Sequence, residues 1–490
     1  MRTQKHPQWA LNQKKPGTEL RLIRGNYYLY EYKTVYDKEK KGPKKISGKL
    51  LGRITQELGL IPSGKRQLEK TVKQTVFSDL SIKEFGVSFL VYQVFSYYAK
   101  ALRKAFPDFW QSILAIAYCR FVYKCPLKNI PFLLAQSYLP ELLETKQFND
   151  KTASHILNTI GSMPEARLAY MKSFVLKEEY LLMDATNIFS NSELIPLSKT
   201  GYNSKKNYDP HFNLMYLYSS KAKRPVYYKL LPGNIREVKA FKNCLIEAGL
   251  SQAVIVADKG FYSIKNIGLL EAENLKFILP LKRDNSIIDY ETLADNSFKA
   301  NDFCFEHEKR IIWYRKFKVN NLSLFLFLDD SLKLNEERDY LRRIETHPES
   351  HSFTEYHIRK NTFGTIALVT NLQRKSAVDV YQTYKSRMAI ETMFDGMKNV
   401  LEADHTYMQD EQTLQGWMFI NHITLQWYQQ LYMELKEKNI LKKFSVNDYI
   451  LFLTDLKKVK INGTWHFNEV TAKAQKMMET TGIKFADYNT

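Results

Sequence analysis

The sequence predicts a multidomain α/β protein with a helical N-terminal region and a β-rich insertion. Three observations carry that expectation. From Tyr180 onward, short apolar runs alternate with amphipathic stretches, the alternation of strands and helices. Residues 86–176 carry helical periodicity without strand-like runs, and residues 284–364 interrupt the alternation with β-formers. The chain has 490 residues, too many for one ordinary core, and 44% of them are hydrophobic, enough to bury a sizeable one.

Residues 21–54 read as a short antiparallel unit. "NYYLYEYKTVY" is rich in tyrosine and β-formers, "DKEKKGPKK" supplies a charged turn with Gly42 and Pro43, and "ISGKLLGRIT" returns. A basic hairpin of this kind can lie along a nucleic-acid groove, or it can be an edge hairpin protected by lysines. Both readings stay open.

Three helices are expected in "VSFLVYQVFSYYAKALRKAF", "FWQSILAIAYCRFVYK" and "DKTASHILNTIG", with Asp150 or Thr152 as the cap of the third. Short helices joined by turns fit a helix-turn-helix DNA module and equally a helical bundle.

The α/β region begins with "YLLMDAT", a strand expected to end on Asp184, followed by the strands "HFNLMYLYS" and "PVYYKLL". "PGNIREVKAFKNCLIEAGL" is expected as a helix capped by Asn234, with Glu237 completing a capping box. "AVIVAD" is a buried strand ending on Asp258, "SIKNIGLLEAENL" a helix and "KFILPLK" a strand. Three strands, helix, strand, helix, strand is an α/β order with an antiparallel beginning, as in ribonuclease-H-like sheets. In the insertion, "RIIWYRKFKV" and "LSLFLFLDD" are strand-like and "LNEERDYLRRI" is helical. "TIALVTN" resumes a buried strand, Ser376 caps the next helix, and "LQGWMFINHITLQWYQQLYMEL" is a long helix. The remaining C-terminal segment has a mixed pattern.

The charge balance is 72 Lys and Arg against 52 Asp and Glu, a net +20 with pI near 9.4, which points to a large polyanionic partner. Residues 1–50 hold 13 Lys or Arg and 4 Asp or Glu, so an excess of nine sits in a tenth of the chain. Four scattered cysteines (Cys119, Cys125, Cys244, Cys304) give neither a disulfide framework nor zinc spacing, and free thiols in a reducing cytoplasm are expected. "MRTQKHPQWALNQKK" has no apolar signal core, and no 18-residue apolar run is present, so no membrane partner is expected.

Two aspartates, Asp184 and Asp258, each follow an apolar strand, where ligands and catalytic groups of α/β sheets collect. An aspartate in that position is also an ordinary turn or cap residue. The segment "YKSRMAIETMFDGMKN" adds a third acid. Read as one helix, it puts Tyr384, Arg387, Glu391 and Lys398 within roughly 60° of arc, opposite Ala389, Ile390, Met393, Phe394, Met397 and Val400. A solvated helix face would look the same. Together, three carboxylates in a basic protein suit Mg²⁺ or Mn²⁺ and form a minimal set for a pair of ions acting on a phosphodiester. Asp395, Asp209, Asp284 and Glu402 are competing acids. His405, near Glu402 and Asp404, makes only a weak metal pattern.

The sequence resembles a DDE transposase of the insertion-sequence family four type, or a close sister group. That family's signature is Y, two residues, R, three residues, E, six residues, K, and Tyr384, Arg387, Glu391 and Lys398 stand at those intervals. "DKGFY" from Asp258 resembles the second-aspartate block, "LLMDATNIFS" the first, and "PVYYKLLPGN" the stretch before the first catalytic-domain helix. The likeness spans roughly residues 175–425, with four blocks in the right order.

The resemblance implies a ribonuclease-H-like catalytic core interrupted by a β-rich insertion. The acids are 74 and 133 residues apart, and the second gap has room for the insertion. It implies that Asp184, Asp258 and Glu391 hold two divalent ions, Mg²⁺ or Mn²⁺, while Tyr384, Arg387 and Lys398 touch phosphates of double-stranded DNA. Some relatives stack a flipped base on an aromatic of the insertion, a role open to Trp313, for which a core position is the first reading. The basic loop "GYNSKKNYDP" is either a DNA contact or a surface loop.

The expected parts are then a basic arm (1–60), a helical region (61–176), the core in two pieces (177–283 and 365–430) around the insertion (284–364), and a C-terminal region (431–490) for dimerisation. The expected activity is a transposase that binds terminal inverted repeats, cleaves with divalent metal and joins 3′-hydroxyls to target DNA. It would act as a homodimer, in the cytoplasm with the nucleoid. The alternatives are a nuclease of the same fold without joining, and a domesticated or inactive DNA-binding repressor.

Overall fold

The structure of the protein, a computed structural model, describes residues 6–37, 41–63, 80–144, 149–176, 180–201, 208–234, 243–244, 246–249, 254–272, 274–293 and 303–481. The chain divides into two compact units, residues 1–81 with 460–465 and residues 82–459 with 466–490. The capping box of Asn234 and Glu237 and most of "GYNSKKNYDP" lie outside the described residues.

The first unit is a four-stranded antiparallel meander of β1 (Thr18–Ile23), β2 (Asn26–Asp37), β3 (Gly42–Thr55) and β4 (Gly59–Pro62). The expected hairpin is thus flanked by a strand on each side. Its core is small, made of Ala10, Leu20, Leu29 and Ile54 with Trp9 and Tyr27 packed against them. β2 and β3 run on together beyond their neighbours as a ribbon with Lys33, Lys44, Lys45 and Lys49 exposed.

The second unit opens with β5 (Ser81–Glu84) and a run of helices. The first expected helix is interrupted. Gly86–Phe89 and Ser96–Ala105 are joined by a π-helical turn, Leu90–Val94. Asn149 rather than Asp150 or Thr152 caps the helix Asp150–Gly161, its Oδ1 accepting from Thr152 N at 2.8 Å.

The α/β strands are β6 (Tyr180–Phe189), β7 (His211–Ser219), β8 (Arg224–Pro232), β9 (Val254–Val256) and β10 (Lys276–Pro280). β11 (Cys304–His307), β12 (Arg310–Val319), β13 (Leu322–Asp329) and β14 (Thr365–Thr370) follow. Among the described residues these make a nine-stranded sheet in the order β11-β12-β13-β14-β10-β9-β6-β7-β8. β6 to β8 are antiparallel, β9 is parallel to both β6 and β10, and the other pairs are antiparallel. The strands of residues 284–364 therefore do not stand apart. They extend the same sheet, with β14 seated between β10 and β13. "LNEERDYLRRI" belongs to the helix Asp330–Thr346, capped by Asp329. β15 (Lys457–Ile461) and β16 (Thr464–Phe467) come last. Residues expected as separate helical, core, insertion and C-terminal parts share one hydrophobic core.

Every residue of β7 is buried, so its alternation has no solvent side. The helix Glu411–Glu437 supplies part of the cover: His422 stacks on Tyr216 of β7 with ring centroids 5.7 Å apart, and lies 5.1 Å from Tyr228 of β8. No described helix is long and apolar enough to cross a membrane.

His422 gives a pH prediction. It is fully buried, neither ring nitrogen has a hydrogen-bond partner among the described residues, and burial pulls its pKa down to about 3. The unfolded chain takes up a proton near pH 6.5 and the folded one does not until about pH 3, so stability falls as pH drops through that window. Urea unfolding should show wild type losing about 1.4 kcal/mol per pH unit more than His422→Phe below pH 6.5. Equal slopes would mean that the ring finds a partner when charged.

Candidate active site

β6 carries Asp184 in its middle, not at its end. The strand continues because Ala185 to Phe189 pair in register with β7, Ile188 facing Phe212 and Phe189 facing His211. β9 runs parallel to β6 with Leu182 level with Val256, so Asp184 and Asp258, each two residues further on, stand side by side. Asp258 opens a single 3₁₀ turn, Lys259–Phe261.

The third acid arrives on a segment that is not one continuous helix. Ser376 caps the helix Ala377–Lys385, accepting from Asp379 N at 3.1 Å. The backbone then tightens: Arg387 N bonds to Tyr384 O at 3.0 Å and Ile390 N to Arg387 O at 3.0 Å, spans of three residues rather than four. The helix Met388–Asp395 follows and opens into a π-helical turn, Gly396–Val400, closed by Leu401 N on Gly396 O at 2.9 Å. The shared polar face drawn from a regular helix is therefore altered. Tyr384 is buried, Arg387 is largely covered, and Glu391 is half exposed.

This segment is held from behind. The buried Arg120 donates Nε to Asn421 Oδ1 at 2.9 Å and its Nη2 to the carbonyls of Leu401 and Glu402 just past the π turn. The chain then returns to the strand that carries Asp184: Phe189 N bonds to Asp404 O at 2.9 Å and Thr406 N to Phe189 O at 3.1 Å.

Arg387 joins the acids. Its Nη1 donates to Asp184 Oδ2 at 3.1 Å, its Nη2 lies 3.7 Å from Asp258 Oδ1, and the same Nη2 donates to Glu391. Burial works against the Arg387 charge, but Asp258, Tyr384, Asp184 and Glu391 outweigh it and hold its pKa above the ordinary arginine value. Burial pushes the Asp184 carboxyl up. The hydrogen bond from Ala185 N and the Arg387 charge oppose that rise, and the crowding of Asp258 and Glu391 adds to it. Among the described residues no three His, Cys, Asp or Glu side chains stand ready around one metal position; the acids meet through the guanidinium.

The structure thus brings Asp184, Asp258, Glu391 and Arg387 together, with Tyr384 beside them. Lys398 lies on the π turn and is not among the residues lining the adjoining cavity. The competing Asp395 accepts from Asn399 Nδ2 at 2.6 Å, and His405 pairs with Asp404 at 2.9 Å. Trp313 is partly buried in β12 and donates Nε1–H to Asp330 Oδ2 at 2.9 Å. The sequence reading missed Lys385 and Arg283, which line a cavity of about 240 Å³ together with Arg387 and Glu391. Lys385 closes the helix Ala377–Lys385 and Arg283 stands in the turn after β10, and a single basic residue at either place carries no periodic signal.

Comparison with known proteins gives one family. Residues 176–427, just over half of the chain, match the family described as "Transposase DDE domain". Among solved structures the chain is similar to a piggyBac transposase synaptic complex with hairpin DNA, at 11% sequence identity and a TM-score of 0.36. That likeness covers 74% of this chain and 70% of that one. Among curated proteins no match was found.

Proposed function

The chain belongs to the transposase DDE-domain family, and on that premise we propose that it cuts DNA at the ends of its own mobile element and joins the 3′-hydroxyls to target DNA. The observation that carries this reading is the convergence of Asp184, Asp258 and Glu391, from three distant segments, on one cation. Three hard carboxylates are a donor set for Mg²⁺ or Mn²⁺. Burial, and after it the nearby Asp258 and Glu391, push the Asp184 carboxyl up, and a divalent ion would favour its charged form. Asp184, Asp258 and Glu391 would hold the ion or pair of ions, which supplies Lewis acidity toward the scissile phosphodiester.

The chain's own residues do the rest. Arg387, released from its carboxylates, presents a planar fork suited to bidentate phosphate contact. Tyr384, buried beside it, would join it at the phosphates, and Lys398 would offer a point charge to the same DNA. The strand order β8-β7-β6-β9-β10, three antiparallel and two parallel, supports a ribonuclease-H-like core. The intervals of Tyr384, Arg387, Glu391 and Lys398 support an insertion-sequence family four affiliation. The exposed basic ribbon of β2 and β3 would add DNA affinity, the helical region 61–176 would contribute to end binding, and a homodimer would pair two ends. The protein would work in the cytoplasm, associated with the nucleoid.

The test uses a linear fragment carrying the DNA that flanks the gene, a plasmid target, and Mg²⁺ or EDTA. Joined products in Mg²⁺ alone are expected. Cleavage without joined products would replace this reading with a nuclease, and binding without cleavage with a repressor.

A further inference from the structure

Beside the carboxylates lies a cavity of about 240 Å³ whose lining includes the cations Lys259, Arg283, Lys385 and Arg387 against two carboxylates, Asp329 and Glu391. Two of the four cations are committed. Arg387 serves the acids, and Arg283 donates Nη2 to Glu336 Oε1 at 3.0 Å and to Thr365 O at 3.0 Å. The other two are not.

Lys385 is half-buried, and among the described residues no carboxylate or carbonyl oxygen accepts from its ammonium group. Its Nζ rests 5.2 Å from the centroid of the Tyr381 ring. The acids in its neighbourhood are occupied. Asp329 accepts Arg310 Nη1 at 2.8 Å on one oxygen and Leu332 N at 3.0 Å on the other, and Glu308 pairs with Arg310 at 3.6 Å. Burial and then Arg310 lower the Lys385 pKa, while Asp329 and Glu308 only partly restore it. A half-buried ammonium that rests on an aromatic face, with no carboxylate or carbonyl accepting from it among the described residues, is only partly compensated for the water it has lost. Lys259, next in sequence to Asp258, is exposed and likewise has no ion pair among the described residues.

We propose that this cavity is a second phosphate subsite, in which Lys385 and Lys259 take a DNA phosphate next to the one held at the carboxylates. The inference rests on the reading of the protein as a DNA transposase and adds two residues outside the signature. Tyr381 forms the wall that keeps the Lys385 ammonium poised in the cavity. With this contact the strand is gripped on both sides of the scissile bond, which fixes it for in-line attack.

The test measures binding of the full chain to a duplex of arbitrary sequence by fluorescence anisotropy across a range of salt concentrations. Lys385→Gln should lower the slope of log affinity against log salt by about 0.9, the contribution of one phosphate contact. Lys385→Arg should restore it, and Lys442→Gln, exposed on the 3₁₀ turn Ile440–Lys442 outside the regions assigned to DNA, should leave it unchanged. Duplex should also shield Lys385 from acetylation by an amine-directed reagent, read by mass spectrometry, where inorganic pyrophosphate should not. An unchanged slope overturns the subsite, as does shielding by pyrophosphate but not by duplex, which would assign the cavity to a free anion. A melting temperature lowered equally in Lys385→Gln and Lys385→Arg would make the lysine structural and overturn it too. If wild type shows no salt-dependent duplex binding, the transposase reading falls with it. A failure confined to the Lys385 variants leaves that reading standing.

Discussion

Glu391→Gln should lose DNA cleavage by about three orders of magnitude while still binding duplex DNA. The substitution keeps size and helix propensity, so the helix Met388–Asp395 should survive. It removes one of the three negative charges that share Arg387. Loss of about 4 kcal/mol of transition-state stabilisation, the order a bound ion supplies, corresponds to a thousandfold in rate. Binding should hold or tighten, because Arg387 gives up a competing carboxylate and turns toward phosphate. Asp395→Asn is the control, since that acid is on the same helix but bonded to Asn399. Plasmid nicking and gel shift measure the two activities, and the rise in melting temperature on adding Mn²⁺ reads metal binding independently. Cleavage abolished in Asp395→Asn but kept in Glu391→Gln would overturn the assignment of the third ligand.

Gly416→Ala should cost about 3 kcal/mol of folding stability, at the upper end of overpacking effects. Gly416 lies in the helix Glu411–Glu437 where it crosses the helix Asp150–Gly161, and a Cβ there would run into the Leu157 carbonyl. The contact is reciprocal, because a Cβ on Gly161 would run into the Gln412 carbonyl. Backbone cannot rotate aside as a long side chain can, so the two helices would have to separate along the crossing. Gly268→Ala is the opposing case. That glycine is exposed in the helix Ile264–Ala272 with nothing within 4 Å of the added carbon, and the change should stabilise by roughly 0.5–1 kcal/mol. Urea unfolding of the two variants should move in opposite directions, and a neutral Gly416→Ala would show that the crossing has slack.

Local signals were readable where a residue acts on its neighbours. Ser376 reads as a cap and does cap, because its hydroxyl needs only the amide three residues on. The strands β7, β8, β9 and β10 read correctly because they are apolar over most of their length. What failed depended on distant partners. The stretch Asp184 to Asn187, polar except for Ala185, looks like a turn, yet β7 holds it extended. The joining of β11 to β14 onto the α/β sheet rests on β10 meeting β14, Ile278 opposite Thr370, a pairing across more than ninety residues that no window of sequence contains. The tight turn at Arg387 and the π turn at Gly396 were invisible for another reason. Periodicity assumes a regular helix, and the need for glycine at 396 comes from Tyr428, a distant residue whose ring fills the space a Cβ would take. The four positions of the signature were legible as a pattern. That Arg387 sits among all three acids was not.

The placement of β14 between β10 and β13 has a consequence for the newborn chain. β11 to β13 leave the ribosome before the strand that docks them exists. They must wait as a free three-stranded meander until residues 365–370 have emerged. Glu391 comes later still, and the helix that covers β7 and β8 ends only at Glu437. At about 5–20 residues per second, the 253 residues between Asp184 and Glu437 take roughly 13–50 s to synthesise. For the first 207 of those residues the first aspartate is present without Glu391. If the basic ribbon holds DNA as proposed, a nascent or prematurely terminated chain would carry that segment without an assembled centre of the three acids. Truncated products would compete with the finished protein for DNA, a brake on the element that scales with how often translation stops early.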